Sequence, residues 1–175
     1  MASINKAENM VGGWLKSVPH LPAAGQKWIA QNAWWIVLIG AIASAIGVLV
    51  LLGAVFTFLA VDTTVYYLQP VYPAGWIVGE IVNILFTAAV AIIAGIAVSP
   101  LKAMKKSGWN ILFVLILLKA VGVVLTSILS FSIVGFIIGI IFGAIGVAIG
   151  TYFVFEIRSH FGAAKVAAKH ESAKA

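Results

Sequence analysis

Three long apolar runs, separated by stretches that hold nearly all of the positive charge, constrain this chain more than any other feature. They lie at Trp34 to Ala60, Trp76 to Val98 and Asn110 to Phe155, and the only ionisable acidic or basic side chains inside them are Glu80 and Lys119. A helix rises ~1.5 Å per residue and a bilayer's hydrocarbon core is ~30 Å thick, so one crossing takes about 20 residues. The third run is too long for one crossing and must fold back once. Four spans follow, at about 34–60, 76–98, 109–129 and 133–155. The expected fold class is therefore all-α, a polytopic membrane protein with four transmembrane helices. A soluble domain is excluded by composition: 63% of the residues are hydrophobic and 9% charged, against about a quarter charged in soluble domains.

Charge also orients the spans. The amino-terminal segment holds Lys6, Lys16 and Lys27, the second connection holds Lys102, Lys105 and Lys106, and the tail holds Arg158, Lys165, Lys169 and Lys174. The first connection, Val61 to Gly75, holds no Lys or Arg. The positive-inside bias places both termini in the cytoplasm and leaves the first connection, and a tight turn near Ser130 to Ser132, outside. Aromatic residues point the same way, with Trp34, Trp35, Trp109 and Tyr152 at the inner interface and Tyr66, Tyr67, Tyr72 and Trp76 at the outer one. The formal charge of +6 then suits the anionic lipid headgroups of a bilayer, not nucleic acid. The chain has no cysteine, which removes disulfides and thiolate metal sites. The first apolar run starts too late and runs too long for a cleaved signal peptide, so the first span is expected to stay in the mature protein.

Three regions result. Residues 1–32 form a cytoplasmic interfacial amphipathic helix and a proline-containing elbow, residues 33–157 the four-helix transmembrane domain, and residues 158–175 a cytoplasmic basic tail. Over residues 2–18, Ala7, Val11, Trp14, Leu15 and Val18 recur at helical spacing, with Lys6, Glu8, Asn9 and Lys16 mostly elsewhere on the wheel. That pattern predicts a helix lying on lipid. Gly12 and Gly13 weaken it by about 1 kcal/mol each, and Pro19-His20-Leu21-Pro22 ends it. The chain restarts near Ala23. The lipid-surface residues are Trp14, Lys16, Lys27, Trp28, Lys102, Lys105 and Lys106.

The first span is longer than the membrane core, so it should tilt or protrude. Asp62-Thr63-Thr64 is its expected end or a restart, with Asp62 available as an N-cap for a short outer helix. Ser-Pro at 99–100 and Ser-Gly at 107–108 bracket the second connection with turn chemistry. The hydroxyls of Thr126, Ser127, Ser130 and Ser132 place the fold-back between the third and fourth spans. At the last exit Glu156, Arg158, Ser159 and His160 mark where lipid ends.

Two constellations stand out. The fourth span carries a glycine ladder, Gly135, Gly139, Gly143, Gly146 and Gly150, matched by a weaker small-residue face of Gly40, Ala43, Ser44 and Gly47 on the first span. Lipid supplies no hydrophobic drive for helices to associate, so such faces allow the close approach from which dispersion holds them together, within a chain or between copies. The first and fourth spans are expected partners on this ground. The polar constellation is Lys119, Glu80 and Asn83. A charge in mid-span costs ~2.5 to 3.5 kcal/mol on insertion scales and marks a functional hypothesis. Depth and side-chain lean set the Lys119 and Glu80 heads apart, which makes Asn83 or a carbonyl the more reachable partner for Lys119. Outside, Asp62 with Tyr66, Tyr67 and Tyr72 offers either a cation site or an interfacial aromatic belt. His20, His160 and His170 all fall in cytoplasmic segments, with no metal-ligand spacing, nucleophile elbow or phosphate-binding glycine loop. No cofactor is expected, and the chain is not expected to be an enzyme.

The approach to the first span, Leu21-Pro22, Trp28-Ile29 and Asn32-Ala33-Trp34-Trp35-Ile36-Val37-Leu38-Ile39-Gly40, resembles the small uncharacterised four-span membrane proteins of ultrasmall bacteria. The resemblance covers this stretch and the general layout. It implies a bacterial cytoplasmic membrane and no activity. The expected function is that of a non-enzymatic scaffold, assembly or membrane-organising subunit, in contact with anionic lipid and with a second copy or another membrane protein. The alternative is a small oligomeric channel or transporter using Lys119, Glu80 and Asn83.

Overall fold

A computed structural model of the chain describes residues 2–15, 17–64, 75–129 and 132–162. Among these residues every regular element is helical: α1 (Ala2–Leu15), α2 (Ala23–Thr64), α3 (Trp76–Lys102), α4 (Lys106–Ile128), α5 (Ile133–Glu156) and a 3₁₀ turn at Arg158–His160. The helices α2 to α5 are long and apolar enough to cross a membrane.

α1 stops short of the expected Val18, whose N–H instead closes a turn on the Leu15 carbonyl at 3.1 Å. Pro22 stands immediately before α2, where a missing N–H loses no helical bond. The Gln26 N–H to Pro22 carbonyl bond at 3.1 Å begins the ladder. From there α2 runs unbroken for 42 residues, about 63 Å at the helical rise. The approach helix and the first span are thus one rod, about twice the thickness of a hydrocarbon core. Its described part reaches Thr64, and Asp62 is a helical residue of α2 instead of an N-cap.

The second connection corrects the sequence reading. α3 does not stop at Val98 but runs through Ser99 and Pro100 to Lys102. The proline is tolerated because it falls in the final turn. There the carbonyls of Ser99, Pro100 and Leu101 accept the N–H groups of Ala103 at 3.1 Å, Lys105 at 2.9 Å and Met104 at 2.9 Å. Met104, at φ 48°, takes the left-handed conformation that reverses the chain. Gly108, expected to close the turn, lies in the first turn of α4. Its function is close approach: a Cβ there would stand 2.7 Å from the Leu101 nitrogen and 2.8 Å from the Pro100 carbonyl carbon. The connection shrinks to Ala103–Lys105. Between α4 and α5, Ser132 is the N-cap of α5 and accepts from the Gly135 N–H at 3.2 Å.

The principal helix contacts join chain neighbours, α2 with α3, α3 with α4 and α4 with α5, while α1 lies against α5. The α2 to α5 contact that would close a ring is not among them. The helices therefore form a layer, drawn together at one end. Its core comprises Ala30, Ala33 and Ala41 of α2, Ala94, Ala97 and Leu101 of α3, Trp109, Leu112, Phe113 and Leu115 of α4, and Ile157 with Phe161 beyond α5. Alanines on α2 and α3 let those backbones approach closely. At the opposite end large apolar residues such as Leu49, Val50, Phe56, Ile133 and Val134 are exposed, and α5 buries no residue before Glu156. The two ends are called here the elbow end and the far end.

Four hydroxyls in the long helices are satisfied locally. The hydroxyls of Ser44, Thr57, Thr126 and Thr151 each donate to the carbonyl four residues back, at 2.7 to 2.8 Å, the usual way an apolar helix accommodates a hydroxyl.

Candidate functional site

The most elaborate polar arrangement among the described residues is at the elbow end, around Glu156. Its side chain is only 4% exposed, and a carboxylate so buried requires donors. It has three. His20 Nδ1 lies 2.5 Å from Oε1, while the Leu21 N–H and Gln26 Nε2 reach Oε2 at 2.8 and 3.0 Å. Gln26 Nε2 also donates to the Leu21 carbonyl at 3.0 Å. One turn back on α5, the Tyr152 hydroxyl donates to the Pro19 carbonyl at 2.8 Å. The prolines explain why the elbow presents itself this way. Pro22 disfavours a helical conformation at Leu21, so the Leu21 N–H lies outside any helix and remains available for Glu156. The start of α2 is thereby latched to the end of α5.

A second set of contacts joins α1, α4 and α5. Trp109 is 1% exposed, and its indole N–H donates to the Val154 carbonyl at 2.7 Å. Its ring stacks on Phe113 at 5.7 Å and meets Phe155 edge-on at 5.7 Å. Arg158 lies 5.4 Å from the Trp109 ring and pairs with Glu8 of α1. Glu8, which the helical wheel sets on the polar face, is buried, because Arg158 gives it a partner there. Gly12 faces Phe155, where a Cβ would stand 3.4 Å from Cε1. Trp14 and Met10 remain exposed. Lys102 stands 5.0 Å over the Trp34 ring, and Asn32 joins the Trp35 indole to the Trp28 carbonyl.

Two concavities adjoin these contacts. An apolar groove of about 530 Å³ runs between α4 and α5, floored at the elbow end by Val11, Trp14 and Leu15 of α1. A smaller cleft of about 430 Å³ is lined by Lys106, Trp109, Phe155, Arg158, Ser159 and Phe161.

The residues singled out from sequence are distributed differently. A Cβ at Gly143 would collide with Val123, one at Gly139 would stand 2.5 Å from Ser127 Oγ, and one at Gly150 would stand 4.0 Å from Ile116, so these three face α4. Gly146 has nothing within 4 Å, and nor does Gly40, whose carbonyl receives the Ser44 hydroxyl. Gly47 looks toward Thr87 of α3. The small-residue faces of the first and fourth spans therefore serve α3 and α4, and do not pair with each other within the chain. Lys119 is exposed, and Glu80 and Asn83 are half-buried. No hydrogen bond or ion pair among the described residues joins these three. Glu80 Oε2 is buried without a hydrogen-bond partner. Lys27, Trp28, Lys102, Lys105 and Lys106 are exposed at the elbow end. The side chain of Asp62, and the whole of Lys16, Tyr66, Tyr67 and Tyr72, fall outside the described residues.

Sequence reasoning did not single out Glu156, His20, Gln26 or Glu8. The available signal was a lone acid at the end of an apolar run, together with a histidine held between two prolines.

Fold and site together define a helical protein with four helices able to cross a membrane and one polar latch at a single end. Compared with family models, characterised proteins and solved structures, the chain matches none of them.

Proposed function

We propose that the protein is an integral membrane subunit without enzymatic activity, a scaffold or membrane-organising element. Both termini and the elbow end lie at the anionic headgroups of the cytoplasmic face, and α1 rests on that surface. The observation that carries this reading is where the polar chemistry sits. Most of its described hydrogen bonds hold the elbow end shut or lie within one helix or cap, while α5 exposes large apolar side chains such as Ile137, Ile141, Phe142 and Ile145. Such a chain offers surfaces to lipid and to other helices. The glycine face of α5 acts in this reading as a packing zipper against α4. A bacterial cytoplasmic membrane suits the charge pattern.

The test uses the absence of native cysteine. Lys119→Cys in sealed vesicles is expected to resist an impermeant thiol reagent from either side, while Lys105→Cys labels from the cytoplasmic side. Labelling at position 119 would mean that a hydrated path reaches mid-bilayer. That outcome would favour the second reading, an oligomeric channel or transporter, for which the buried, unpartnered Glu80 oxygen is the supporting observation.

A further inference from the structure

The cleft beside the latch contains two cationic groups outside the Glu156 network. Lys106, at the start of α4, is exposed and makes no ion pair among the described residues. Arg158 gives one nitrogen to Glu8 and lies against Trp109, yet a guanidinium has five N–H donors in a fixed fork, so most remain available. The Ser159 hydroxyl, 3.3 Å from His160 Nδ1, completes the polar rim. Trp109, Phe155 and Phe161 form the floor. Among the described residues the one carboxylate in contact with these cations is Glu8, on Arg158; Glu156, nearby in sequence, is engaged by the elbow.

We propose that this cleft binds the phosphate of an anionic phospholipid. A planar guanidinium takes two oxygens of a phosphate and an ammonium takes another as a point charge. Phe155, the half-buried ring of the floor, selects the lipid over free phosphate, since it offers an apolar surface to the first methylenes that inorganic phosphate has no means to use. The inference rests on the reading that the elbow end meets the headgroups of the cytoplasmic leaflet.

The experiment is native mass spectrometry of the full chain in neutral detergent, titrated with phosphatidylglycerol or phosphatidylcholine. The wild type should retain one phosphatidylglycerol in preference to phosphatidylcholine. Lys106→Gln should lower that retention about fivefold, while Lys106→Arg retains it. Lys27→Gln removes the same charge from the same end outside the cleft and should change nothing. Glu8→Gln, which leaves both cations in place, should not lower retention. Equal losses in Lys27→Gln and Lys106→Gln would overturn the site in favour of diffuse surface charge. Displacement by millimolar inorganic phosphate as readily as by lipid would overturn the lipid assignment. Circular dichroism checks that each variant is folded. The orientation is judged separately: if Lys105→Cys labels only from outside, the cytoplasmic reading fails whatever the retention assay gives.

Discussion

The elbow end and the far end are built from the same four helices yet held by different means. At the elbow end directional groups converge: Glu156 collects His20, Leu21 and Gln26, Trp109 reaches Val154, and Arg158 reaches Glu8. At the far end closeness itself is the device. A Cβ on Gly79 would stand 2.9 Å from the Leu129 carbonyl oxygen, and Gly122 leaves 3.0 Å for Phe86. The first kind of contact fixes which helices meet. The second brings neighbours together but does not close α2 onto α5. In lipid, where apolar surface gains nothing by being covered, that opening costs little.

This contrast is open to attack by substitution. Glu156→Ala should have the largest effect. It leaves the Leu21 N–H, the Gln26 amide and His20 without their acceptor at a buried position, a loss on the order of 3 kcal/mol. Reversible unfolding in mixed micelles should report it, and spin labels at Lys27 and Ser159 should show a broader distance distribution, as if the elbow end had become a second far end. Gly143→Leu comes next, at about 2 kcal/mol, because Val123 blocks the new side chain. Gly146→Leu, on the open side of the same helix, should unfold at the wild-type midpoint. If the two leucine variants behave alike, the glycines of α5 do not act through α4. Trp109→Phe keeps the aromatic contact and loses the donation to Val154, a loss of about 1 kcal/mol that thermal denaturation should detect. Glu8→Gln should cost least. Arg158 is 45% exposed, and solvent screening brings such a pair to within about 0.5 kcal/mol, small enough that the unfolding midpoint should barely move.

Much of the helical layout was legible in the sequence because it follows from one-dimensional quantities. The start of α3 at Trp76 and of α5 at Ile133 coincide with the expected spans, since an apolar run beginning at an interfacial tryptophan or after a serine cap leaves little choice. Pro100 misled because a proline's effect depends on its place in the helix, and the local bonds that close α3 just beyond it put it in a final turn. Gly108 misled in a related way: a glycine beside a serine suggests a turn until another backbone is found pressed against it. Glu8 and Glu156 were harder still. Their partners lie on other elements, and no periodicity connects a carboxylate to a guanidinium or an imidazole far along the chain. Lys119, the most conspicuous residue in the sequence, is exposed and takes no part in the latch.

The bond between His20 and Glu156 spans 136 positions of sequence, which has a consequence for the order of biosynthesis. Each long helix meets the needs of its own backbone and hydroxyls, so it can enter a bilayer as it emerges, without waiting for the rest. The latch cannot. Until the fourth span is inserted the elbow has no carboxylate to hold, and a chain halted after α4 would sit in the membrane with its first proline turn loose. Closure has to wait for the last long helix, and it registers that every helix before it has arrived.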